Sequence, residues 1–430
     1  MITCAAWAGK TFGVFGLART GKSVVAALTA SGAQVAAWDD SDAVRTAFGG
    51  AVTDLHTADL SGLAAMVVSP GVPHDNPVFA RAVAAGIPVI GDIELFAQAR
   101  AGLPPHKVVG VTGTNGKSTT AALIHHILVT AGIPARLGGN IGAPILGEEP
   151  LAAGGVYVLE LSSFQLELTY TLDCDVAVLL NITPDHLDRH GTMEAYVAAK
   201  MRLFEMQTPE HSFVDASGDP AILAMFNADN GPGRAGSGQS LPPGTSWTDH
   251  PEQPNWPALQ GPHNAQNVFA ACAAALDLGI HTSVVSAALA TYPGLPHRME
   301  RVREVNGVAF VNDSKATNPT STAPALAAFA YVHWIAGGLA KTDDLDACLP
   351  YLGHVRAAYL IGDAAPLFAR ILDGRVPVVM AETLDRAVAL AAAAAVPGDT
   401  VLLSPACASY DQFTDYAARG DAFKRQVGTL

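Results

Sequence analysis

One glycine-rich stretch of the sequence carries the residue types of a phosphate-binding loop. It reads Gly113-Thr114-Asn115-Gly116-Lys117-Ser118 and continues into Thr119. The β-branched run Val108–Val111 comes before it, and a helix-forming run follows it as far as Thr130. Glycines expose backbone N–H groups at the positive end of a helix, lysine reaches β- and γ-phosphate oxygens, and serine can ligate Mg²⁺. Val111 stands where the strict pattern has a further glycine, but the shorter GxxGKS form favours an ATP-binding loop over a structural turn.

A second glycine turn lies near the N-terminus, directly after the predicted strand Thr11–Phe15. It has the pattern GxAxxG from Gly16 to Gly21, with alanine in place of the glycine that lets a pyrophosphate approach. Asp39 and Asp40 end the next predicted strand, where an acidic residue binds ribose in dinucleotide folds. A structural turn and a nucleotide site both remain open here. A nicotinamide-dependent dehydrogenase would follow from this turn alone, and the ATP-type loop argues against it.

Polar side chains also follow later predicted strands of the same series. Glu160 ends the run VYVLELSS, where either a second Mg²⁺-directing carboxylate or a surface glutamate fits. His186 lies in NITPDHLDRHG, which reads as a site loop or as a solvated loop. Lys200, in MEAYVAAKMRLFE, has the pattern of an exposed helical lysine.

The second half of the chain repeats this placement of polar residues. Asn267 lies near the start of an apolar helix, where it either caps the helix or contacts an adenine, and Arg298 can clamp a phosphate or a carboxylate. Two later strands are followed by Asp313, Lys315, Thr317, Ser409 and Tyr410. Because the carboxyl ends of parallel strands meet at one edge of a sheet, this common placement predicts sites that face one cleft.

Composition limits the classes of partner. The chain has 430 residues and a formal net charge of -14, which argues against a nucleic-acid surface. Its five cysteines lie far apart, without a disulfide or zinc spacing, which favours a reducing cytoplasm. The N-terminus lacks the pattern of a signal peptide, and the apolar runs are too short to span a bilayer. We therefore expect a soluble cytoplasmic protein.

The order of predicted elements indicates an α/β fold in which helices cover parallel sheets. We expect three domains: a Rossmann-like N-terminal domain (residues 1–95), a P-loop ATPase-like central domain (96–294) and a Rossmann-like C-terminal domain (295–430). The stretch Ala99–His106 is predicted to link the first two domains. Between about Ala216 and Pro262 the Gly-, Pro- and Ser-rich composition predicts irregular structure or short antiparallel strands.

The motifs of the chain, taken in order, resemble the Mur ligase family from about Gly13 to Phe423. They are TGTNGKST, GGNIG, ELSSFQLE, NITPDHLDRH, YVAAK, HNAQN, LPHRME, NDSKATN and LSPACASYDQF. The resemblance implies a three-domain ligase whose first domain holds the UDP end of a muramoyl substrate, whose second binds ATP, and whose third brings the incoming amino acid. Within the family, NDSKATN followed by SPACASYDQF is similar to members that add D-glutamate to UDP-N-acetylmuramoyl-L-alanine.

The resemblance also implies roles for individual residues. Lys117 would stabilise the transferring phosphoryl group, and Ser118 with Glu160 would hold one Mg²⁺ ion. His186 and Lys200 would serve a second Mg²⁺ ion, with Lys200 as a carbamate formed from CO₂. The positions that match ATP contacts are Gly113, Thr114, Asn115, Gly116, Lys117, Ser118, Thr119, Asn267, Arg298, Asp313 and Lys315.

The substrate pockets follow from the same resemblance. The positions that match the glutamate pocket are Thr317, Lys341, Ser409 and Tyr416, with Tyr410 beside them. Those assigned to the UDP-sugar are Arg19, Thr20, Asp40, Gly71 and Asn140. Two departures stand out: Asp40-Ser41 occupies the place where the family often has an arginine against uracil, and Tyr416 replaces a common phenylalanine.

The implied reaction activates a carboxylate with ATP. An acyl phosphate would form on the alanyl carboxylate, and the amine of glutamate would displace phosphate to give an amide. Since two anions must meet in one site, the chemistry requires Mg²⁺ and cationic side chains. We expect a monomer that binds small-molecule substrates, without nucleic acid or membrane. The alternatives are a ligase for L-lysine, diaminopimelate or a folate-type glutamate, a nicotinamide dehydrogenase, and a non-enzymatic nucleotide-binding protein.

Overall fold

Three β-sheets organise the chain in the computed structural model. The structure describes residues 1–222, 238–240 and 251–430. The chain forms two units, of which the first comprises Met1–Ser246 with Gln266–Leu289 and the second comprises Trp247–Ala265 with Ala290–Leu430. The first two sheets lie in the first unit and the third sheet lies in the second.

The first sheet has four parallel strands in the order β2-β1-β3-β4. The strands are β1 (Thr11–Phe15), β2 (Gln34–Trp38), β3 (Ala65–Val68) and β4 (Val89–Ile90), and the helices are α1 (Arg19–Ala30), α2 (Asp42–Phe48), α3 (Pro77–Ala84) and α4 (Asp92–Ala99). The turn from β1 to α1 requires glycine at both ends. Gly16 has a φ of 96°, and a Cβ on Gly21 would lie 1.8 Å from the Gly16 carbonyl oxygen.

The second sheet has six parallel strands in the order β10-β9-β8-β5-β7-β6. The strands are β5 (His106–Thr112), β6 (Ala135–Gly139), β7 (Gly155–Glu160), β8 (Val176–Leu179), β9 (Ser212–Asp215) and β10 (Gly238–Ser240). The helices that follow in the chain are α5 (Lys117–Thr130), α6 (Ser163–Glu167), α7 (Leu187–His190), α8 (Met193–Glu205), α9 (Pro262–Asp277) and α10 (Thr282–Thr291). Strands β7 and β8 are buried along their whole length, and β5 and β9 are buried except at their first residues, as in a sheet covered on both faces.

Much of the stretch Ala216–Pro262, which was predicted to be irregular or antiparallel, lies outside the described residues. Its one described strand, β10, pairs in parallel with β9, so the antiparallel expectation is wrong there. The strand lies at the edge of the sheet and runs in the same direction as β9.

A common core joins the first two sheets. Phe96 of α4 packs edge-on against Tyr157 of β7 with a ring-centroid distance of 5.1 Å, and both are fully buried. Glu94, also on α4, accepts backbone N–H bonds from Tyr170 (2.7 Å) and Thr171 (2.9 Å). An edge-on aromatic pair contributes about 0.5–1.5 kcal/mol beyond its buried area. The first unit is therefore held together by packing and by buried polar contacts across α4.

The third sheet is mixed, in the order β11-β12-β16-β13-β14-β15. The strands are β11 (Glu300–Val305), β12 (Val308–Asn312), β13 (Val332–Gly337), β14 (Val355–Ile361), β15 (Val378–Glu382) and β16 (Thr400–Leu403), and the helices are α11 (Pro319–Ala327), α12 (Ala365–Leu372), α13 (Leu384–Ala394) and α14 (Tyr416–Gly428). Only β11 is antiparallel to its neighbour, through a tight turn at Asn306-Gly307 in which both residues have positive φ.

Short 3₁₀ turns complete the described structure at Ala5–Trp7, Arg100–Gly102, Ile145–Gly147, Gln253–Asn255 and Leu349–His354. Several helices begin shortly after the strand that precedes them, among them α1 after β1, α5 after β5 and α6 after β7. Within the described ranges, none of the helices has both the length and the apolar character needed to cross a membrane.

Candidate active site

The phosphate-type loop lies where the sequence predicts it, between β5 and α5. Gly113 and Gly116 have φ values of 146° and 87°, which only glycine adopts without strain. A Cβ on Gly116 would lie 2.1 Å from Oδ1 of Asn267, and a Cβ on Gly113 would lie 3.0 Å from Cβ of Leu180. Both glycines therefore let neighbouring chain segments approach the loop closely.

Asn267 belongs to the interior of α9, so the capping alternative is wrong. Its Oδ1 accepts a hydrogen bond of 3.2 Å from the Thr120 hydroxyl on α5. Its side chain is buried against the loop, which places an amide beside the residues predicted to bind ATP.

Two lysines meet at one carbonyl of this loop. Nζ of Lys117 lies 3.0 Å from the Gly113 oxygen and 2.8 Å from the Thr114 oxygen. Nζ of Lys200, on α8, lies 2.7 Å from the same Gly113 oxygen. The Nζ atoms of the two lysines thus converge on the Gly113 carbonyl at the start of the loop.

Lys200 is not the exposed helical lysine that its residue pattern favours. Its side chain is 1% exposed, with Nζ 4.5 Å from the centre of the Tyr196 ring one helical turn earlier. Burial, together with the charge of Lys117, lowers the pKa of Lys200 to about 7. The amine can therefore lose its proton near neutral pH. The sequence feature that could have indicated this contact is the i, i+4 spacing of Tyr196 and Lys200, which places the two side chains on one face of the helix.

Residues that follow β8 in the chain form hydrogen bonds with the phosphate-type loop. Thr114 donates from its hydroxyl to the Thr183 oxygen (3.1 Å), and the Tyr196 hydroxyl lies 3.0 Å from the same Thr114 oxygen. The Asn181 side chain accepts the backbone N–H of Asn115 at 2.9 Å. Burial raises the pKa of Tyr196 to about 12, so it remains a neutral hydroxyl. Sequence reasoning missed Asn181 and Tyr196.

Glu160 and Asn140, predicted for metal and substrate, lie together at the ends of β7 and β6. Nδ2 of Asn140 donates to Oε1 of Glu160 at 3.1 Å. Glu160 is 2% exposed, so the surface-glutamate alternative is wrong. Its Oε2 is buried and has no hydrogen-bond partner among the described residues. A buried carboxylate oxygen without a partner is an expensive group unless a cation or a donor contacts it.

The donor set suits Mg²⁺ rather than zinc. Ser118, in the first turn of α5, is buried, and Glu160 ends the strand that pairs directly with β5. A hydroxyl and a carboxylate oxygen are hard ligands, and Mg²⁺ commonly completes its shell with water and phosphate oxygens. Across the described ranges, no cluster of three or more His, Cys, Asp or Glu side chains forms a ready-made metal site.

His186 lies in a backbone conformation that is uncommon for a side-chain-bearing residue. Its φ is 52°, in the left-handed region, immediately before α7. Its imidazole is half-exposed and packs on Phe164 with a centroid distance of 4.8 Å. Strain of this kind costs roughly 1–3 kcal/mol and often marks a functional position.

The N-terminal turn uses its two aspartates differently. Oδ2 of Asp39 accepts the backbone N–H of Leu17 at 2.7 Å, so this carboxylate shapes the turn itself. Asp40 accepts from His56 (2.7 Å) and Asn76 (2.9 Å). Burial works to raise the pKa of Asp40, but the hydrogen bonds from His56, Asn76 and Trp38 outweigh it and lower the pKa.

One of the predicted UDP-sugar residues, Arg19, contacts the GGNIG segment. Nη2 of Arg19 donates to the Gly142 oxygen at 2.6 Å, close in the chain to Asn140. Thr20 lies in the first turn of α1 and lines a small pocket with Asp92. Gly71 lies on an exposed turn after β3. These residues therefore follow the carboxyl ends of β1, β3 and β6, and Arg19 links the first of these segments to the last.

In the second unit, Asp313 follows β12 and is almost fully buried. Ser404 donates to its Oδ2 at 2.8 Å and the Met299 backbone N–H to its Oδ1 at 3.2 Å. Burial raises the pKa of Asp313 to about 7, although Ser404 and the charge of Arg298 oppose the shift. Arg298 lies between two left-handed residues, and its Nε is buried without a hydrogen-bond partner in the described chain.

The remaining predicted residues of the second unit differ in exposure. Nζ of Lys341 donates to the Thr317 hydroxyl at 3.3 Å. Nζ of Lys315 lies 5.8 Å from the centre of the Tyr416 ring. Ser409 is buried, whereas Tyr410 is 70% exposed.

Sequence reasoning missed Arg419, a buried arginine of the second unit. It is 1% exposed and donates to the Ser314 hydroxyl (2.9 Å), the Ser314 carbonyl (2.8 Å) and the Cys407 carbonyl (3.0 Å). It therefore ties the NDSKATN segment to the SPACAS segment. No motif pointed to it, because its partners are mainly backbone oxygens distant in sequence.

Three family models match consecutive parts of the chain. They are the Mur ligase MurD-like N-terminal domain at residues 10–91, the Mur ligase middle domain at 111–232, and the Mur ligase glutamate ligase domain at 297–407. The chain belongs to the Mur ligase family, which confirms the resemblance of its motifs. A protein of Novosphingobium aromaticivorans, named UDP-N-acetylmuramoylalanine--D-glutamate ligase, is 55% identical over 433 residues that cover 100% of this chain and 97% of that protein.

Solved structures of other Mur ligases share the fold. UDP-N-acetylmuramate-alanine ligase of Thermotoga maritima matches with a TM-score of 0.58 at 16% identity, over 98% of this chain and 99% of that one. MurF ligase of the same organism, in complex with ADP, matches with a TM-score of 0.57 at 17% identity, over 86% of this chain and 90% of that one. The α/β fold class predicted from the sequence is confirmed.

Proposed function

We propose that this chain is an ATP-dependent ligase that joins D-glutamate to UDP-N-acetylmuramoyl-L-alanine in cytoplasmic peptidoglycan precursor synthesis. The observation that carries the proposal is the convergence of two lysine Nζ atoms, those of Lys117 and Lys200, on the Gly113 carbonyl of a strand–loop–helix turn. The substrates follow from the name of the relative that is 55% identical over the whole chain, and in this respect the prediction from the motifs is confirmed.

The reaction solves a problem of carboxylate chemistry. An alanyl carboxylate is a poor electrophile until one of its oxygens becomes part of a leaving group. One carboxylate oxygen forms a bond to the γ-phosphorus of ATP, and the bond from that phosphorus to the bridging oxygen breaks, which releases ADP. The amine of glutamate then attacks the acyl carbon, the C–O bond to phosphate breaks, and the nitrogen loses a proton to leave an amide.

Lys117 acts on the charge that moves during phosphoryl transfer. Its ammonium group is held by the Gly113 and Thr114 oxygens, so its position is set before ATP binds. A preorganised cation stabilises the transferring group without reorganisation, which is worth about 10²–10³ in rate for one such contact.

Ser118 and Glu160 would hold one Mg²⁺ ion, and His186 with Lys200 would serve a second. Bound Mg²⁺ supplies charge neutralisation for the two anions that must meet. As an ammonium ion Lys200 does not fit a cation site. Its lowered pKa, about 7, leaves a neutral amine that can add to CO₂, lose a proton and present carbamate oxygens.

The other predicted residues divide between nucleotide and substrates. We assign Asn267, Arg298, Asp313 and Lys315, with the loop from Gly113 to Thr119, to ATP. The glutamate pocket comprises Thr317, Lys341, Ser409, Tyr410 and Tyr416, and the UDP-sugar site comprises Arg19, Thr20, Asp40, Gly71 and Asn140. Residues 1–95, 96–294 and 295–430 would form the UDP-substrate, ATP and amino-acid domains, with one sheet in each.

The decisive experiment measures ADP release by the purified protein with ATP, Mg²⁺ and UDP-N-acetylmuramoyl-L-alanine, comparing D- with L-glutamate. We expect turnover only when the UDP-substrate and D-glutamate are both present. Turnover with L-lysine, diaminopimelate or L-glutamate instead would refute the assignment. No turnover with any amino acid would favour a non-enzymatic nucleotide-binding protein.

We further propose a cytoplasmic location and a monomeric state. Five free cysteines, three of them fully buried, are compatible with a reducing compartment. Light scattering coupled to gel filtration should give a molar mass near the 44.3 kDa of one chain. A mass of twice that value at micromolar concentration would contradict the monomer.

A further inference from the structure

One glutamate of the first unit, which the reaction above does not use, is surrounded by basic side chains. Glu167 is the last residue of α6. Its Oε2 lies 3.0 Å from Nε2 of His74 and 3.5 Å from Nε of Arg189. Its Oε1 lies 3.0 Å from Nδ1 of His190. This carboxylate therefore contacts three basic groups from two separate segments.

The two segments are those that carry predicted site residues. His74 lies just after Gly71 in the loop Ser69–Asn76, which follows β3 of the first sheet. Arg189 and His190 follow His186 in α7. Nη1 of Arg189 also donates to the Val72 oxygen at 3.0 Å, a second link between the same two segments.

These contacts lie largely out of water, and they are ion pairs by distance, because Oε2 of Glu167 and Nε of Arg189 form no hydrogen bond among the described residues. The side chains of Arg189 and His190 are 9% and 1% exposed, and that of Glu167 is 19% exposed. Nη2 of Arg189 is buried without a hydrogen-bond partner in the described residues, so the guanidinium charge depends on Glu167 for compensation. The carboxylate is thus the only acid that the structure places in ion-pair contact with Arg189 within the described chain.

A path of contacts runs from this carboxylate to His186. The Arg189 guanidinium lies 4.1 Å from the centre of the Phe164 ring, and His186 packs on the same ring at 4.8 Å. His190 contacts the Ser163 hydroxyl at 3.0 Å, which fixes α7 against α6. Phe164 therefore contacts both the guanidinium that is paired with Glu167 and the imidazole of His186.

We propose that Glu167 is a positioning residue that sets His186 through Arg189 and Phe164, and that it couples His186 to the UDP-substrate loop Ser69–Asn76 through His74. The inference rests on the proposed function. It predicts that binding of the UDP-substrate to the loop changes the position of His186, and that the position of His186 changes this binding, because Glu167 contacts both segments.

The first test compares Glu167→Gln with the control Glu148→Gln. Glu148 is a matched control because it also forms an ion pair in the first unit, with Arg136 at 2.5 Å, and is 25% exposed. We expect E167Q to lose about 10- to 100-fold in kcat/KM for the UDP-substrate, as supporting residues of a metal-site ligand commonly do. The KM for D-glutamate should stay within about twofold, and E148Q should match the wild type within about twofold.

Two readouts do not depend on turnover. Calorimetry should show weaker UDP-substrate binding to E167Q, and mass-spectrometric mapping should show faster diethyl pyrocarbonate modification of His186. An unchanged modification rate of His186, or equal losses in E167Q and E148Q, would overturn the proposal. A fall in melting temperature with all kinetic constants unchanged would indicate a structural role only.

A double-mutant cycle measures the coupling between His74 and Glu167 and separates it from a loss of stability in E167Q. His74→Ala alone should weaken UDP-substrate binding, and adding it to E167Q should cost less than the product of the two single effects. Fully multiplicative effects would contradict the coupling. An inactive wild-type protein would defeat the proposed function instead, while the His186 modification rates would still decide whether Glu167 positions that side chain.

Discussion

Replacing Lys200 by methionine removes one ionisable group from a buried position and conserves most of the side-chain volume. Burial, with the charge of Lys117, lowers the pKa of Lys200 from its ordinary value of 10.5 to about 7 in the folded protein. Between these two values the unfolded chain binds more protons than the folded chain. Stability of the wild type is therefore complete above about pH 10.5 and is lost progressively as the pH falls towards 7.

The size of the effect follows from the two pKa values. At about 1.4 kcal/mol per pH unit, the buried amine costs the wild type about 4 kcal/mol at pH 7. Lys200 is 1% exposed, so solvent screens little of this cost. The methionine forfeits the hydrogen bond to the Gly113 oxygen, worth about 1 kcal/mol. K200M should thus be more stable than the wild type by about 3 kcal/mol at pH 7, and slightly less stable at pH 10.

The assay is urea unfolding at both pH values in CO₂-free buffer, with the exposed Lys10→Met as control. The difference between K200M and the wild type should change sign between pH 7 and pH 10, while K10M should show no such dependence. If K200M is less stable by the same amount at both pH values, the buried-amine reasoning is wrong. Lys200→Ala should also be inactive in ADP release and be partly restored by short carboxylates, whereas absence of rescue would count against the carbamate.

Three further outcomes are expected. Lys117→Ala should lower ADP release by about 10²–10³ at an unchanged melting temperature, and near-normal phosphate release would show that the loop is misassigned. Gly116→Ala should lower the free energy of unfolding in urea by roughly 1–3 kcal/mol, since its Cβ would lie 2.1 Å from Asn267 Oδ1. The control Gly62→Ala should leave that free energy unchanged, because its Cβ would meet no atom. Burial raises the pKa of Asp313 to about 7, so the stability of the wild type relative to Asp313→Asn should be greatest below about pH 4 and should fall as the pH rises through 7. Melting curves measured across this range test the prediction, and a difference in melting temperature that does not change with pH would contradict it.

Several elements follow directly from local sequence. The strand Thr11–Phe15 has the predicted bounds, and the helix after the phosphate-type loop begins within the Gly-Lys-Ser run, at Lys117. Apolar runs that end in glycine or a polar residue are short-range patterns, so a single sequence can reveal them. The antiparallel strand β11 escaped prediction, although the Asn306-Gly307 dipeptide is a hairpin signal, because its exposed residues carry no buried apolar run.

Only part of the candidate site could be predicted from local sequence. The glycines and Lys117 could be predicted because their chemistry depends on neighbours in the chain. The burial of Lys200, the partnerless oxygen of Glu160 and the interior position of Asn267 depend on segments far apart in sequence. The buried arginine Arg419 was missed for the same reason.

The sequence by itself determined the order of strands, loops and helices, and with it the family and the residues that gather at the strand ends. Only the tertiary structure decided the electrostatic state of those residues. A pKa depends on how much water a side chain loses and on which charges lie within a few ångströms, and both are properties of packing between segments distant along the chain. Lys200 shows the difference. The helix that carries it can be predicted from the residues next to it in the sequence, whereas its lowered pKa arises from burial against the loop that it contacts.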